Sequence, residues 1–360
     1  MEYFSCKTEI VAGAGAIARL ADLHAKRLLL VTDPFFQKNG TAQAVARAAK
    51  AEHVEIFDQV IPDPTVELAA AGTARVKAFQ PDLIVALGGG SAMDCAKAMA
   101  YFGGGSYTFA AIPTTSGSGS EVTDFAILTH NGIKHPLVDG RMRPDLAILD
   151  SDLLQELPKG LIADSGFDVL SHALEACCAG NRGSFTDALA RESFRMAFHF
   201  LPRSFAGDKS VRLEVHKAAS MAGLAFTQAG LGLCHAMAHA LGGAFHVPHG
   251  RLNAILLPAV LDCNASAALG AYGAMARAAG FSTSSDVMAL RSLKNGLIQL
   301  RRELGLPQTL AQAGVDIHKL RQQEQKLVEA VLEDPCCDTN PVKPEAHMVR
   351  QILGGVMGRG

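Results

Sequence analysis

Apolar positions follow two different rhythms along the chain. As far as about residue 150, short runs rich in Leu, Val and Ile alternate with longer stretches of helical spacing. The runs lie at residues 4–11, 28–31, 83–87, 108–112, 125–128 and 146–149. Short apolar runs separated by helical segments predict a mostly parallel sheet covered by helices. After Glu156-Leu157-Pro158-Lys159-Gly160 the strand-like runs stop. Helical periodicity takes over at residues 186–200, 211–226, 286–304 and 317–332. Pro335, Pro341 and Pro344 then break the helices before a last one from Ala346. The pattern predicts an α/β domain over residues 1–158 and an all-helical domain over residues 159–360.

Composition narrows the class without naming a function. The chain has 360 residues, of which 49% are hydrophobic, enough for two cores of ordinary size. A formal net charge of -2 and the lack of a dense basic run give no sign of a nucleic-acid partner. Eight cysteines without framework spacing fit reduced thiols, and the adjacent pairs Cys177-Cys178 and Cys336-Cys337 read as structural. The first residues, M-E-Y-F-S-C-K-T-E, lack the charged start and apolar core of a leader. No charge-free apolar run reaches spanning length. The expectation is a globular cytoplasmic protein with no membrane partner.

Candidate chemistry is concentrated in residues 230–250, G-L-G-L-C-H-A-M-A-H-A-L-G-G-A-F-H-V-P-H-G. His235 and His239 are four apart and share one helix face. Pro248 must end or bend that helix, returning His249 from a turn. Upstream, in D-S-G-F-D-V-L-S-H-A-L-E-A, Asp168 and His172 repeat the four-residue spacing. A lone histidine in apolar surroundings is usually a satisfied core residue. Two such pairs, an Asp/His and a His/His, are what a divalent metal site needs, and neutral imidazoles with one carboxylate suit iron(II) or zinc.

Two stretches could cradle phosphate. Gly13, Gly15 and Ala18 form G-x-G-x-x-A, with Asp33 about twenty residues on, as a dinucleotide fingerprint requires. A turn and helix start is preferred there, because a fuller site follows the strand at 83–87. Gly88, Gly89, Gly90 and Ser91 open the helix A-M-D-C-A-K-A-M-A, where backbone and helix N-terminus can approach a pyrophosphate. After the strand at 108–112 comes P-T-T-S-G-S-G-S-E, whose Thr114, Thr115 and Ser118 hydroxyls could hold phosphate or ribose oxygens.

Together, G-G-G-S-A-M-D-C-A-K, P-T-T-S-G-S-G-S-E-V-T, G-F-D-V-L-S-H-A-L-E-A and H-A-M-A-H-A-L-G-G-A-F-H-V-P-H-G resemble the iron-containing (group III) alcohol dehydrogenases. The likeness runs from Val31 to Thr339, and G-I-K-H-P-L, F-T-D-A-L-A and Q-A-G-L-G-L point to the branch of 1-propanol dehydrogenases of propanediol-utilising bacterial microcompartments. The resemblance implies a Rossmann-like dinucleotide-binding domain followed by a dehydroquinate-synthase-like helical metal-binding domain, with the active site in the cleft between. It implies iron(II), with zinc as the alternative, on Asp168, His172, His235 and His249, and His239 near nicotinamide and substrate. His246 has no counterpart and reads as a pocket-wall or surface residue. The pyrophosphate would sit at Gly89, Gly90 and Ser91, with Asp33 on the adenosine ribose and favouring NAD(H) over NADP(H). Thr114, Thr115 and Lys134 would complete that site, with Leu154 beneath the adenosine. Three positions depart from the pattern: Ser118 for a usual Thr, Phe167 for Met or Val, and Asp63 for the Asn of P-N-P-T.

The activity so implied is reversible hydride exchange between NAD(H) and a small aliphatic aldehyde or alcohol, propanal and 1-propanol first. The implied setting is a homodimer or larger oligomer, beside an aldehyde dehydrogenase and inside a microcompartment shell. Rival readings are an acetaldehyde reductase, a glycerol or 1,2-diol dehydrogenase, and a silent NAD-binding scaffold subunit. The intact four-residue donor set speaks against the scaffold and against the metal-free maleylacetate reductases.

Overall fold

A run such as Leu83–Gly88, L-I-V-A-L-G, has no polar side to offer water, so it is stable only in a sheet covered on both faces. All six of its residues are buried. The structure, a computed structural model, describes residues 2–130, 133–281 and 283–358. Its strands are β1 (Glu9–Gly13), β2 (Arg27–Val31), β3 (His53–Phe57), β4 (Leu83–Gly88), β5 (Thr108–Pro113), β6 (Phe125–His130), β7 (Ile133–Val138) and β8 (Leu146–Asp150). Six of them form one parallel sheet in the order β1-β8-β5-β4-β2-β3. The helices between them are α1 (Pro34–Lys38), α2 (Thr41–Ala49), α3 (Val66–Phe79) and α4 (Gly90–Gly103).

Alternation along the strands feeds two cores. Leu29 and Val31 of β2, with Ile84 and Ala86 of β4, join Val76, Phe79, Met93 and Met99 from α3 and α4. Their neighbours Leu28, Leu30, Leu83, Val85 and Leu87 join Ala42 and Val45 of α2 on the other face. A slip of one residue would exchange the two sets, so the pattern fixes the register from Leu28↔Leu83 to Val31↔Ala86.

Residues 125–128 depart from the expectation that they extend the parallel sheet. They begin β6, which pairs antiparallel with β7 in a separate hairpin. Pro136, opposite Ile127, cannot donate to a ladder and so belongs on such an outlying strand. Residues 4–8 also stay out of the sheet. Phe4 stacks on Phe185, 5.3 Å between centroids, and the strand begins only at Glu9.

The chain divides into one compact unit of Ser5–Leu157 and a second of Pro158–Gly360 together with Met1–Phe4. The second unit is built of helices α5 (Lys159–Ala176), α6 (Ser184–Ala206), α7 (Arg212–Ala229), α8 (Leu233–Phe245), α9 (His249–Ala278), α10 (Asp286–Glu303), α11 (Ile317–Gln322), α12 (Glu324–Leu332) and α13 (Ala346–Val356). The apolar spacing over 317–332 thus covers two helices, broken at Gln323. α5 lies at the centre, packed against α6, α7 and α9. By length and composition α9 could cross a membrane, but here it packs against α5, α8 and α10 and buries Asn253 and Asn264, as the core helix of a globular unit does.

Candidate functional site

The strand order of the parallel sheet reverses between β2 and β4: β3 lies beyond β2 on one side, and β4, β5 and β8 follow on the other. Ligands of open α/β sheets bind at the carboxyl ends of strands at such a point. Asp33 follows β2 and Gly88 ends β4, and the Thr32 hydroxyl donates to the Leu87 carbonyl at 2.8 Å, tying the two ends together. Gly88 has φ +148°, and a Cβ there would strike Ala92 and stand 3.8 Å from Asp33 Oδ2. Asp33 Oδ1 is used in capping α1 through the Phe35 and Phe36 N–H groups, which leaves Oδ2 on the Gly88 side.

Gly89 caps α4 without a side-chain hydrogen bond, so the first turn of that helix keeps its anion-attracting N–H groups. Gly89, Gly90 and Ser91 are partly exposed. The Thr115 hydroxyl lies 3.3 Å from where a Cβ on Gly89 would stand, and that of Ser118 3.4 Å from one on Gly90. The two glycine-rich stretches therefore face each other. Thr114 is buried, its N–H bonded to the Gly88 carbonyl. The Asp and Lys of the first motif hold the second loop in place. Buried Lys97 donates to Ser120 Oγ, Thr123 Oγ1 and the Phe125 carbonyl, each at 2.9 Å, and Asp94 accepts from Ser120 Oγ at 3.0 Å.

Other sequence candidates in this unit are placed less directly. Lys134 pairs with Asp63 at 2.7 Å; a pair this exposed is worth only ~0–1 kcal/mol and leaves the lysine able to turn to a ligand. Leu154 is fully buried. The early G-x-G-x-x-A turn is filled by the chain's own carboxylates. Asp150 and Asp152 accept from the Gly15 N–H, each at 3.1 Å, and Asp150 from that of Ile17 at 2.9 Å. The Gly15 and Ile17 N–H groups are thus taken by the chain's own carboxylates.

In the helical unit the structure brings Asp168, His172, His235 and His249 together. Asp168 Oδ1 lies 4.0 Å from Nε2 of His172, 3.8 Å from that of His235 and 3.6 Å from that of His249. The first two arrive from one face of α5 and His235 from α8. His249 is the first residue of α9 rather than a turn residue. Its approach depends on Gly250, where a Cβ would collide with the Asp164 carbonyl and stand 3.1 Å from the Asp168 Cβ. Arg251 then clamps α9 to α5 through Asp164, at 3.1 and 2.9 Å.

Sequence reasoning missed the partners of these groups. His235 Nδ1 donates to Glu175 at 2.5 Å, and Glu175 also accepts from the N–H groups of Gly232 at 3.0 Å and Cys234 at 2.7 Å. The Asn253 amide donates to Asp168 at 2.8 Å and stands 3.3 Å from His235 Nε2. Asn340 accepts from the Leu233 N–H at 3.0 Å, so the Leu233 and Cys234 N–H groups that open α8 are both bonded. Two of these had a legible signal. Glu175 is seven residues after Asp168 on the α5 face, and Asn253 four after His249 on α9. His239 lies beside the cluster, its ring stacked on that of His249 with centroids 5.1 Å apart, and its Nδ1 donates to Asp334 at 2.8 Å. His246 caps the end of α8 in the left-handed region, φ +55°, and is exposed.

The cluster is electrostatically a place for a cation. Burial alone would raise the Asp168 carboxyl, but His172, His249 and His235 together hold it well below its usual range. Burial drives His249 well below the ordinary imidazole value. Burial also opposes protonation of His235, yet Glu175 and Asp168 outweigh it and lift His235 to about 9. A proton is thus the positive charge the cluster holds when no metal is bound. One carboxylate and three imidazole nitrogens, backed by Glu175 and Asn253, fit a divalent ion with nitrogen and oxygen preference. Metal uptake near neutral pH is expected to release about one proton, with affinity rising with pH until about 9. Calorimetric titration in two buffers of different ionisation enthalpy reads that count. In the metal-free protein the same charge stabilises the fold below the ordinary histidine value of 6.5 and is lost as pH rises through about 9.

Comparison with known proteins gives the family. Residues 7–151 match the family of iron-containing alcohol dehydrogenases, and residues 162–357 the C-terminal part of the Fe-containing alcohol dehydrogenase family. The chain is 37% identical to the 1-propanol dehydrogenase PduQ of Salmonella typhimurium, over 98% of this chain and 99% of that protein. It is 34% identical to the NADPH-dependent butanol dehydrogenase of Clostridium saccharobutylicum, over 98% and 97%. The solved iron-containing alcohol dehydrogenase of Thermococcus thioreducens superposes with a TM-score of 0.91 at 32% identity, over 98% and 99%. Two family matches covering most of the chain, and whole-length relatives above 30% identity, establish that this protein is an oxidoreductase of the iron-containing alcohol dehydrogenase family.

Proposed function

We propose that the enzyme reduces a short aliphatic aldehyde, propanal first, to the primary alcohol with NADH, using one divalent ion held by Asp168, His172, His235 and His249. The observation that carries this reading is the convergence of those four side chains on one buried point, three imidazole Nε2 atoms within 4.0 Å of one carboxylate oxygen. When bound, an iron(II) or zinc ion supplies Lewis-acid polarisation of the carbonyl oxygen, and the nicotinamide supplies the hydride. Glu175 keeps the His235 proton on Nδ1 and so presents Nε2 as a lone pair. Asp334 does the same for His239, whose Nε2 is then the nitrogen able to exchange a proton with the alcohol hydroxyl. The likeness to the 1-propanol dehydrogenase PduQ supports propanal, and that to the butanol dehydrogenase supports a short-chain substrate.

The test is NADH oxidation with propanal, acetaldehyde, lactaldehyde and dihydroxyacetone, on apoprotein reloaded anaerobically with Fe(II) or Zn(II). Fast turnover of propanal only with metal is expected. A preference for dihydroxyacetone would move the enzyme to the polyol branch with the same ligands. Homodimer formation, an aldehyde dehydrogenase partner and residence in a microcompartment belong to the same proposal and rest on motif likeness; copurification with an encapsulated aldehyde dehydrogenase tests them.

Cofactor choice follows from Asp33 at the switch point. A carboxylate there accepts from ribose hydroxyls and repels a 2′-phosphate. Asp33→Asn keeps an acceptor for the α1 cap but removes the charge. Its NADPH-to-NADH ratio of kcat/KM is expected to rise roughly 10-fold or more, the value of one charge-assisted hydrogen bond. A wild-type enzyme that already prefers NADPH would overturn the assignment.

A further inference from the structure

The function proposed above uses neither of the adjacent cysteines Cys336 and Cys337, yet one of them stands in a donor cluster. The ligating atoms of His239, Asp334 and Cys336 all lie within 4.8 Å of one another, and all three residues are only partly buried. The Cys337 thiol instead donates to the Val331 carbonyl at 3.0 Å. Asp334 holds His239 Nδ1 with one oxygen at 2.8 Å and the Cys336 N–H with the other, also at 2.8 Å. The short turn Pro335–Thr339 that carries Cys336 is tied to the chain leading into α8, the helix of His239. Its Thr339 hydroxyl donates to the Leu231 carbonyl at 2.7 Å, and Asn340 accepts from the Leu233 N–H. The three donors therefore sit on one braced frame.

We propose that His239, Asp334 and Cys336 form a second cation site, of imidazole–carboxylate–thiolate type, distinct from the Asp168 cluster and selective for zinc-like ions. Sulfur decides the selectivity. A thiolate favours Zn(II), Co(II) or Cd(II) over Fe(II), whereas the Asp168 cluster offers only nitrogen and oxygen. Binding releases the Cys336 thiol proton to solvent, and the His239 proton moves from Nδ1 to Nε2, so the ring stays neutral and ligates through Nδ1. With bonds of about 2.0–2.2 Å a tetrahedral ion spaces its ligands roughly 3.3 Å apart, so the His239–Asp334 pair need open by only ~0.5 Å. The fourth position stays open to water. An ion there takes Asp334 away from His239, so excess zinc is inhibitory; this consequence, unlike the site itself, rests on the proton-exchange role proposed for His239.

Cobalt separates the two sites by colour. Titrating the full-length apoprotein with Co(II) should first fill the sulfur-free cluster, giving only weak visible bands. A further equivalent should bring an intense thiolate-to-cobalt charge-transfer band in the near ultraviolet. Cys336→Ser should abolish that band and the second equivalent while keeping the first, and Cys337→Ser should keep both. The absence of the band at saturating Co(II), or its survival in Cys336→Ser, overturns the site. In turnover assays, zinc beyond the first equivalent should lower kcat, and Cys336→Ser should need at least ten times more zinc for the same loss. A band dependent on Cys336 without zinc inhibition upholds the site and refutes the role of His239 instead.

Discussion

Asp168→Asn is expected to leave a folded protein that no longer retains its metal and reduces aldehyde at least ~10³-fold more slowly, the loss of several kcal/mol of charge stabilisation. The replacement is isosteric, and an amide oxygen can still accept from Asn253 as the carboxylate does at 2.8 Å. The change is therefore one of charge rather than packing. Among the described residues Asp168 is the one anion facing all three imidazole nitrogens, and it is 8% exposed, so water cannot substitute for it. A divalent ion would then sit buried against neutral donors, a costly arrangement. His249→Ala is the milder comparison. Its side chain is 31% exposed, so water can occupy the vacated position, and metal content and activity should fall together but less steeply. Metal per protomer by elemental analysis, beside kcat/KM with propanal, checks both variants. Full activity in either variant without metal would end the metal-dependent reading.

Much of this centre was legible because its donors come in pairs at helical spacing. Asp168 and His172, and His235 and His239, announce a common face, and Pro248 announces a new element at His249. The second of those pairs nonetheless divides its duties: His235 joins the cluster, while His239 turns Nδ1 to Asp334. No local pattern separates those roles, because the deciding carboxylates, Glu175 and Asp334, lie 60 and 95 residues away in sequence. Glu175 looks like an ordinary helix charge until the first turn of α8 is seen to rest on it. Gly250 was visible only as part of P-H-G; its reason, the close crossing of α9 over α5, is a tertiary fact. In the sheet the fully apolar runs were plain. β3, H-V-E-I-F, was not, because its first two residues are exposed at the sheet edge and its apolar pattern is too short to stand out.

The second large effect is expected at Glu175, whose one signal in the sequence is its place seven residues after Asp168 on α5. Its carboxylate is 3% exposed and carries three donors: His235 Nδ1 and the N–H groups of Gly232 and Cys234. It therefore both orients the imidazole whose Nε2 faces Asp168 and accepts from the N–H groups that open α8, where the helix dipole favours an anion. Glu175→Ala strands all three donors in a buried space and should cost ~3–5 kcal/mol of stability, as breaking a buried charged pair does. Glu175→Gln is the more informative variant. It fills the same volume, but one acceptor oxygen becomes an N–H₂ that faces donors. Metal affinity is expected to drop ~10–100-fold, the usual loss when the partner behind a ligating histidine is removed. The pH dependence supplies a separate readout. Burial tends to lower the His235 pKa, and Glu175 is the largest influence raising it to about 9. Without that charge His235 is neutral across a wider range, so metal uptake near pH 8 should release fewer protons and vary less with pH. A merely structural Glu175 would lower the melting temperature and leave the proton count unchanged. Wild-type affinity together with a wild-type proton count in Glu175→Gln would show that the residue supports the helix alone.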